Sequence, residues 1–191
     1  MNQKLVVNVI GFPACGKSSV CKHLAERGFF VQRPSDVIRA FAAKHNMVLT
    51  AREDYIAAHL ALNQENPIAI IEPVLQSSET RICLDGLRSP FLLDRLLQEP
   101  FKTVTIALDC PVEIRYQRMR DDDARKGTHR APATFEAFIA DEQADYYNPD
   151  PNVANMGTMM KRADYTIDAS KDAETVQRAV DEIVDTIIAV Q

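Results

Sequence analysis

Short apolar runs alternate with amphipathic segments along the whole chain. Apolar runs rich in β-branched residues lie at 4–10, 81–86, 102–109 and 163–168, with a weaker run at 28–33. Between them, apolar residues recur every three or four positions, which predicts helices at 18–28, 35–45, 52–64, 111–120, 134–147 and 172–190. Near-continuous hydrophobic strands that alternate with helices predict a parallel sheet covered by helices on both faces. The polar stretches 121–133 and 147–157 are predicted to be loops.

The composition is that of one soluble globular domain spanning 1–191. Of its 191 residues, 46% are apolar and 26% are charged, which is enough apolar material for a substantial core. With 22 Lys and Arg against 27 Asp and Glu, the net charge of -5 argues against nucleic-acid binding. The four cysteines have no paired spacing, and no apolar run reaches the length of a signal peptide or a membrane span. We therefore expect a cytoplasmic monomer or homodimer with reduced thiols and no membrane partner.

The chemistry begins at Gly11-Phe-Pro-Ala-Cys-Gly-Lys-Ser18, which satisfies G-x-x-x-x-G-K-[ST] between the first strand and the first helix. Backbone N–H groups in this loop would converge on a nucleotide's phosphates, aided by the positive end of the helix dipole. Lys17 would reach the β- and γ-phosphates, and the Ser18 hydroxyl would bind Mg²⁺. The residues expected to contact ATP are Gly11, Ala14, Cys15, Gly16, Lys17, Ser18 and Ser19. The alternative is an ordinary strand-to-helix turn. Cys15 is interpreted as a small side chain within the loop, with a redox role as its alternative.

A second motif, Leu84-Asp-Gly-Leu-Arg-Ser89, follows the apolar run at 81–86. Ligands bind at the carboxyl edge of the strands in open α/β sheets, and this motif is predicted to lie there. Asp85 can hold a Mg²⁺-bound water, and Arg88 can point at an acceptor anion. The alternative is a turn that only ends a strand.

These stretches, together with Ser35-Asp-Val-Ile-Arg39 and the basic segment 111–120, resemble nucleoside monophosphate kinases. Over nearly the whole chain the sequence is most similar to P-loop nucleotide kinases related to adenylate kinase and dephospho-CoA kinase. The resemblance implies a three-layer P-loop fold with five parallel strands in the order 2-3-1-4-5. It also implies an acceptor-binding helical region at about 34–78 and a short flap at about 119–133.

The resemblance also implies roles for individual residues. Arg39, with Asp36 beside it, would grip the acceptor's phosphate, and Arg118 would stack on the nucleotide base near the loop at 169–172. The flap would supply further arginines to the transferring phosphoryl group, and the candidates are Arg120, Arg125 and Arg130. The alternatives are a solvated Asp–Arg ion pair on a helix and a basic solvated helix face.

One departure from the group lies in the segment 134–147. The group usually has an arginine directly before an Asp-Glu pair, whereas here Ala140 precedes Asp141 and Glu142. An insert also lengthens the flap. Both changes concern closure over the phosphoryl group.

The expected function is transfer of the γ-phosphoryl group from ATP, with Mg²⁺, to a small phosphate-bearing acceptor, with a nucleoside monophosphate as the leading choice. The catalytic residues would be Lys17, Asp85, Arg88, Arg118 and Arg125. An alcohol acceptor would need a carboxylate, such as Asp36 or Asp85, to take its proton. The alternatives left open are a dephospho-CoA kinase-like enzyme, a regulatory nucleotide switch and a paralogue that binds nucleotide without turnover.

Overall fold

The structure is a computed structural model that describes residues 3–122, 134–147, 150 and 153–190. The strands are β1 (Leu5–Ile10), β2 (Phe30–Gln32), β3 (Arg81–Asp85), β4 (Lys102–Asp109) and β5 (Tyr165–Asp168). The helices are α1 (Lys17–Glu26), α2 (Pro34–Lys44), α3 (Arg52–Glu65), α4 (Glu72–Gln76), α5 (Pro90–Leu97), α6 (Val112–Asp121), α7 (Phe135–Tyr146), α8 (Met156–Lys161) and α9 (Ala173–Ala189).

The described residues form a five-stranded sheet in the order β2-β3-β1-β4-β5. Every pairing is parallel, with β1 between β3 and β4. The predicted strand order is therefore confirmed. Because parallel strands share one direction, the loops that follow β1, β3 and β4 leave the sheet at the same edge.

The core lies on both faces of the sheet. Alternate β1 residues Leu5, Val7 and Val9 pack with α1 and α9, while Val6 packs with the apolar side chains of α2 to α5 on the other face. All six residues of β1 are buried. This explains the near-continuous hydrophobic pattern of β1, which Asn8 alone interrupts, since a strand covered on both faces has no solvent side.

Three helices are absent from the sequence-based expectations: α4, α5 and α8. Helix α5 begins after Ser89, whose hydroxyl accepts a hydrogen bond from the Leu92 N–H at 3.2 Å. Helix α8 has six residues and begins in the stretch 147–157 that was predicted to be a loop. Helices this short give too few turns for a periodic pattern to be recognised.

The polar faces of α1 and α9 are joined by ion pairs. His23 and Arg27 each contact the Asp181 carboxylate at 2.7 Å. Partial burial alone would raise the pKa of Asp181, but the hydrogen bonds from His23 and Arg27 outweigh it and lower the pKa. None of the described helices combines the length and apolar character that crossing a membrane requires.

Candidate active site

The loop between β1 and α1 has the backbone form of a phosphate-binding loop. Ala14 has φ 61° and Gly16, which directly precedes α1, has φ 102°, so both lie in the left-handed region. A Cβ atom on Gly11, where φ is 151°, would lie 2.7 Å from the Leu108 carbonyl oxygen. Glycine is therefore required at position 11 for both conformation and space.

Lys17 lies across this loop. Its Nζ donates hydrogen bonds to the carbonyl oxygens of Gly11, at 2.8 Å, and Phe12, at 3.0 Å. Burial lowers the pKa of Lys17, while the nearby Asp85 carboxylate opposes that shift. Burial thus disfavours the charged form of this amine, whereas a nearby anion favours it.

The turn after β3 is held by a buried asparagine. Asn8, in the middle of β1, has no exposed surface. Its Oδ1 accepts from the Leu87 N–H at 3.1 Å, and its Nδ2 donates to the Leu87 carbonyl at 3.3 Å. Both backbone groups of Leu87 are therefore satisfied inside the protein, which fixes the neighbouring Asp85 and Arg88 at the sheet edge.

Asp85 and Gly86 face the P-loop. A Cβ on Gly86 would lie 3.8 Å from Cε of Lys17, so the turn passes directly beside the lysine stem. The Asp85 carboxylate is 13% exposed and lies 3.6 Å from the Arg33 guanidinium. Lys17 and Asp85 therefore line the same cavity, and their catalytic roles stay predictions.

A larger cavity and a smaller cavity meet at the P-loop. The larger has a volume of about 510 Å³, and its polar wall includes Asp85, Arg88 and Arg52. The smaller has a volume of about 200 Å³ and is lined by Ala14, Gly16, Lys17, Ser18, Ser19, Arg118 and Asp122. Ala14, Lys17 and Ser18 line both. The P-loop is therefore the wall that the cavities share.

Arg118 connects α6 to the loop after β5. Its guanidinium donates to the carbonyl oxygens of Ala169, at 2.7 Å, and Lys171, at 3.2 Å. The structure thus places Arg118 beside the smaller cavity and the loop at 169–172, where the resemblance put the nucleotide base. Its stacking role stays a prediction.

Arg88 and Arg52 converge on one carboxylate. Arg88 Nη1 lies 3.1 Å from Asp145 Oδ2, and Arg52 Nη2 lies 2.5 Å from Asp145 Oδ1. Arg52 also lies 3.1 Å from Asp141. Arg88 was expected at this site, whereas Arg52 and Asp145 were missed.

Arg115 is a second residue that the sequence reasoning missed. It is only 5% exposed, and it donates to the carbonyl oxygens of Cys110, at 2.8 Å, and Pro13, at 3.4 Å. Its Nη2 donates to Glu142 on α7 at 2.9 Å. The Phe12 ring lies 5.2 Å from the guanidinium carbon, a cation–π contact with the P-loop itself. Arg115 therefore ties α6, α7 and the P-loop together.

Asp36 and Arg39 contact each other on α2. Arg39 Nη2 lies 2.5 Å from Asp36 Oδ1 and 3.1 Å from the Ser35 hydroxyl, and both charged side chains are about half exposed. Ser35 and Ile38 line the larger cavity, but Asp36 and Arg39 are not among its lining residues. Their roles in acceptor binding stay predictions.

Two predicted flap residues lie outside the described part of the chain. These are Arg125 and Arg130, and of the flap at 119–133 only 119–122 is described. Arg120 lies on α6, with its guanidinium carbon 5.9 Å from the Tyr116 ring centre. Cys15 is buried, and its Sγ lies 3.8 Å from the Lys17 ammonium group.

The oxygen donors at the P-loop fit a magnesium ion. The Ser18 hydroxyl and the Asp85 carboxylate belong to the wall of the same cavity, and both are hard oxygen ligands. Within the ranges that the structure describes, no group of three or more His, Cys, Asp or Glu side chains could hold a metal ion. This donor set suits Mg²⁺, which is usually bound through one or two carboxylates with water and substrate phosphates.

The sheet order and the glycine loop between β1 and α1 define a P-loop NTPase fold of the kind found in small-molecule kinases. The chain belongs to the AAA domain family AAA_18, whose model matches residues 7–147.

Similar sequences include archaeal UPF0200 proteins. One from Thermococcus onnurineus is 28% identical, covering 97% of this chain and 99% of that protein. One from Pyrococcus horikoshii is 25% identical, covering 97% of this chain and 98% of that protein.

Similar solved structures include TT1252 and several proteins named as kinases. TT1252 from Thermus thermophilus has a TM-score of 0.63 at 16% identity, covering 96% of this chain and 98% of that one. The shikimate kinase from Acinetobacter baumannii in complex with shikimate has a TM-score of 0.56 at 18% identity, covering 97% and 96%. A sugar kinase from Janibacter sp. has a TM-score of 0.56 at 16% identity, covering 98% of both chains. The expected P-loop kinase class is confirmed at the level of the fold.

Proposed function

We propose that this protein is an ATP- and Mg²⁺-dependent phosphotransferase that moves the γ-phosphoryl group to a small phosphate-bearing acceptor, with a nucleoside monophosphate as the leading choice. The observation that carries the proposal is that Lys17 and Ser18 belong to the walls of both cavities. A phosphoryl group held at these residues would face a donor on one side and an acceptor on the other. Transfer would then need no large movement of either molecule.

On the donor side, the smaller cavity would receive the phosphates of ATP. The Lys17 ammonium group and the converging loop N–H groups would stabilise charge on the transferring oxygens. Mg²⁺ bound by Ser18, and through water by Asp85, would neutralise charge on the β- and γ-phosphates. Arg118 would hold the loop at 169–172 in place beside the nucleotide.

On the acceptor side, the larger cavity is of the size that small-molecule sites occupy. Its polar wall carries the two arginines, and its apolar wall carries Tyr55, Ile56 and Leu92. Burial lowers the pKa of His59, which also lines the cavity, so this imidazole would present an uncharged ring. Two guanidinium groups with an apolar and aromatic wall suit a molecule that has a phosphate at one end and a flat ring at the other.

A phosphate acceptor would not need a general base, because its attacking oxygen is already anionic near neutral pH.

A second candidate function is transfer to an alcohol, and the position of Asp85 favours it. This carboxylate belongs to the wall of the larger cavity, so it could accept a proton from a hydroxyl group bound there. Similar folds include proteins named shikimate kinase and gluconokinase.

ADP formation by the purified protein tests the proposal. The acceptors would be a panel of nucleoside monophosphates, dephospho-CoA, shikimate and gluconate. We expect ADP formation to depend on a nucleoside monophosphate, to be lost in Lys17→Ala, and to be retained in the matched control Lys22→Ala, whose side chain lies exposed on α1. Alcohol-dependent turnover that falls steeply in Asp85→Asn would favour the second function. Slow hydrolysis that no acceptor stimulates would refute both and favour a nucleotide switch.

A further inference from the structure

Asp145 bridges two arginines that come from different elements. Arg52 is the first residue of α3, Arg88 lies in the turn after β3, and Asp145 lies in the last turn of α7. The two carboxylate oxygens of Asp145 each contact one guanidinium group. Oδ1 lies 2.5 Å from Arg52, and Oδ2 lies 3.1 Å from Arg88. All three residues line the larger cavity. The contact therefore lies inside the proposed acceptor site.

The backbones of the two arginines are positioned by contacts that do not involve Asp145. The Arg88 carbonyl accepts a hydrogen bond from the Asn155 N–H at 3.1 Å, and Asn8 fixes the residue before Arg88. The backbone of Arg52 is set by the first turn of α3. Two guanidinium groups that reach one carboxylate from separate elements form an arrangement that can bind phosphate or carboxylate through several charge-assisted hydrogen bonds.

Helix electrostatics do not explain the position of Asp145. The carbonyl end of a helix carries partial negative charge, so a carboxylate in its last turn is disfavoured. α7 has no basic residue in its last turn to offset this. The two arginines supply the compensation, which means that Asp145 is stabilised mainly by the groups that a substrate anion would need.

We propose that Arg52 and Arg88 together form the anion site of the larger cavity, and that Asp145 occupies this site as an internal competitor. An incoming phosphate or carboxylate group takes the two guanidinium groups and displaces the Asp145 side chain. The inference rests on the proposed function, because it assigns the acceptor's anionic group to this cavity. It adds Arg52 to the site and makes Asp145 a determinant of acceptor affinity.

Chemical modification of individual arginines tests whether Asp145 and an incoming anion compete for Arg52 and Arg88. The protein is treated with phenylglyoxal at increasing concentrations of inorganic phosphate, and peptides that contain Arg52 and Arg88 are quantified by mass spectrometry. Arg178, which lies exposed on α9 and lines neither cavity, serves as the internal reference. We define the half-protecting concentration as the phosphate concentration that halves the modification of Arg52 and Arg88 by phenylglyoxal. In Asp145→Asn we expect this concentration to fall about five- to tenfold, because the competing carboxylate charge is gone.

An acid outside the cavity gives the matched control. Asp94 on α5 pairs with Arg162 and does not line the larger cavity, so Asp94→Asn should leave phosphate protection of Arg52 and Arg88 unchanged. The titrations are repeated in Lys17→Ala, which removes phosphate bound at the P-loop. An equal half-protecting concentration in wild type and Asp145→Asn would overturn the inference. Protection that changes only when Lys17 is present would also overturn it, since the effect would then belong to the P-loop.

Two probe anions separate the ligand classes. Protection by phosphate alone supports a phosphate-bearing acceptor, protection by malonate alone supports a carboxylate, and protection by both supports an anion site that accepts either. Protection by neither overturns the inference. No nucleotide turnover is measured, so a failure here is distinct from a failure of the phosphotransferase assay.

Discussion

Replacing Glu142 by glutamine leaves the Arg115 guanidinium buried without its counter-charge. The two side chains are 5% and 12% exposed, so water cannot replace the lost partner effectively. Removing one member of a buried ion pair costs about 3–5 kcal/mol. Arg115 keeps two carbonyl acceptors and glutamine retains one oxygen, so the expected loss is at the lower end, about 3 kcal/mol.

A loss of this size is measurable by urea unfolding and by thermal unfolding. For a chain of this length, about 3 kcal/mol corresponds to a fall in Tm of roughly 6–12 °C. The matched control is Glu174→Gln, because Glu174 forms an exposed i,i+4 pair with Arg178 at 3.8 Å. Exposed ion pairs of this kind contribute little to stability, so the control should have the same free energy of unfolding and the same Tm as the wild type.

A double-mutant cycle decides whether burial of the charge is the cause. In Arg115→Met with Glu142→Leu, apolar side chains replace both charges, and most of the lost stability should return. The nucleotide affinity of this double variant should be lower than that of the wild type, because the contacts of Arg115 with the P-loop at Pro13 and Phe12 are gone. The reasoning is wrong if Glu142→Gln behaves like the surface control, or if the double variant is as unstable as the sum of the two single variants.

Three further substitutions test interactions that hold the P-loop, the turn after β3 and helices α1 and α9 in place. Asn8→Leu removes both hydrogen bonds to the buried Leu87 backbone and should lower the free energy of unfolding by about 2–4 kcal/mol, measured in urea. Gly11→Ala places a methyl group against the Leu108 carbonyl and should cost about 1–3 kcal/mol with a loss of ATP affinity by calorimetry; unchanged affinity would contradict this. The lowered pKa of Asp181 means that its stabilising contribution is present above the unfolded pKa of about 3.9 and is lost as pH falls through the folded value. Asp181→Asn should therefore unfold less steeply with acid than the wild type between about pH 5 and pH 2, and an identical acid profile would refute this.

The strands could be predicted wherever burial on both faces makes a continuous apolar run. This holds for β1, which is buried throughout, and for β4, where the six central residues are buried. The edge strand β2 has three residues, none of them buried, and its pattern was correspondingly weak. The strand order came from the resemblance to a family, because hydrophobic periodicity alone does not tell which strands are neighbours.

The P-loop could be predicted because all its parts are contiguous in sequence, whereas the rest of the site depends on distant partners. Arg52 and Asp145 are 93 residues apart, and Asn8 and Leu87 are 79 apart. One local signal was available for Arg115. It lies four residues before buried Met119, on the inward face of α6, so an arginine stands in an apolar register. A polar residue in such a register indicates a buried partner without saying where that partner lies.

The alanine at position 140, where similar kinases carry an arginine, has a structural context in this chain. Ala140 is exposed, while the residues of α7 that line the larger cavity are Phe138, Asp141, Glu142 and Asp145, at helical spacing. The side chain of an arginine at position 140 would lie on the exposed side of α7. The three acids of α7 that line the cavity instead pair with arginines carried by α3, the β3 turn and α6. Among the described residues, the arginines that line the larger cavity, Arg52 and Arg88, thus come from other elements and α7 supplies their counter-charges, so the missing arginine does not by itself argue against phosphoryl transfer.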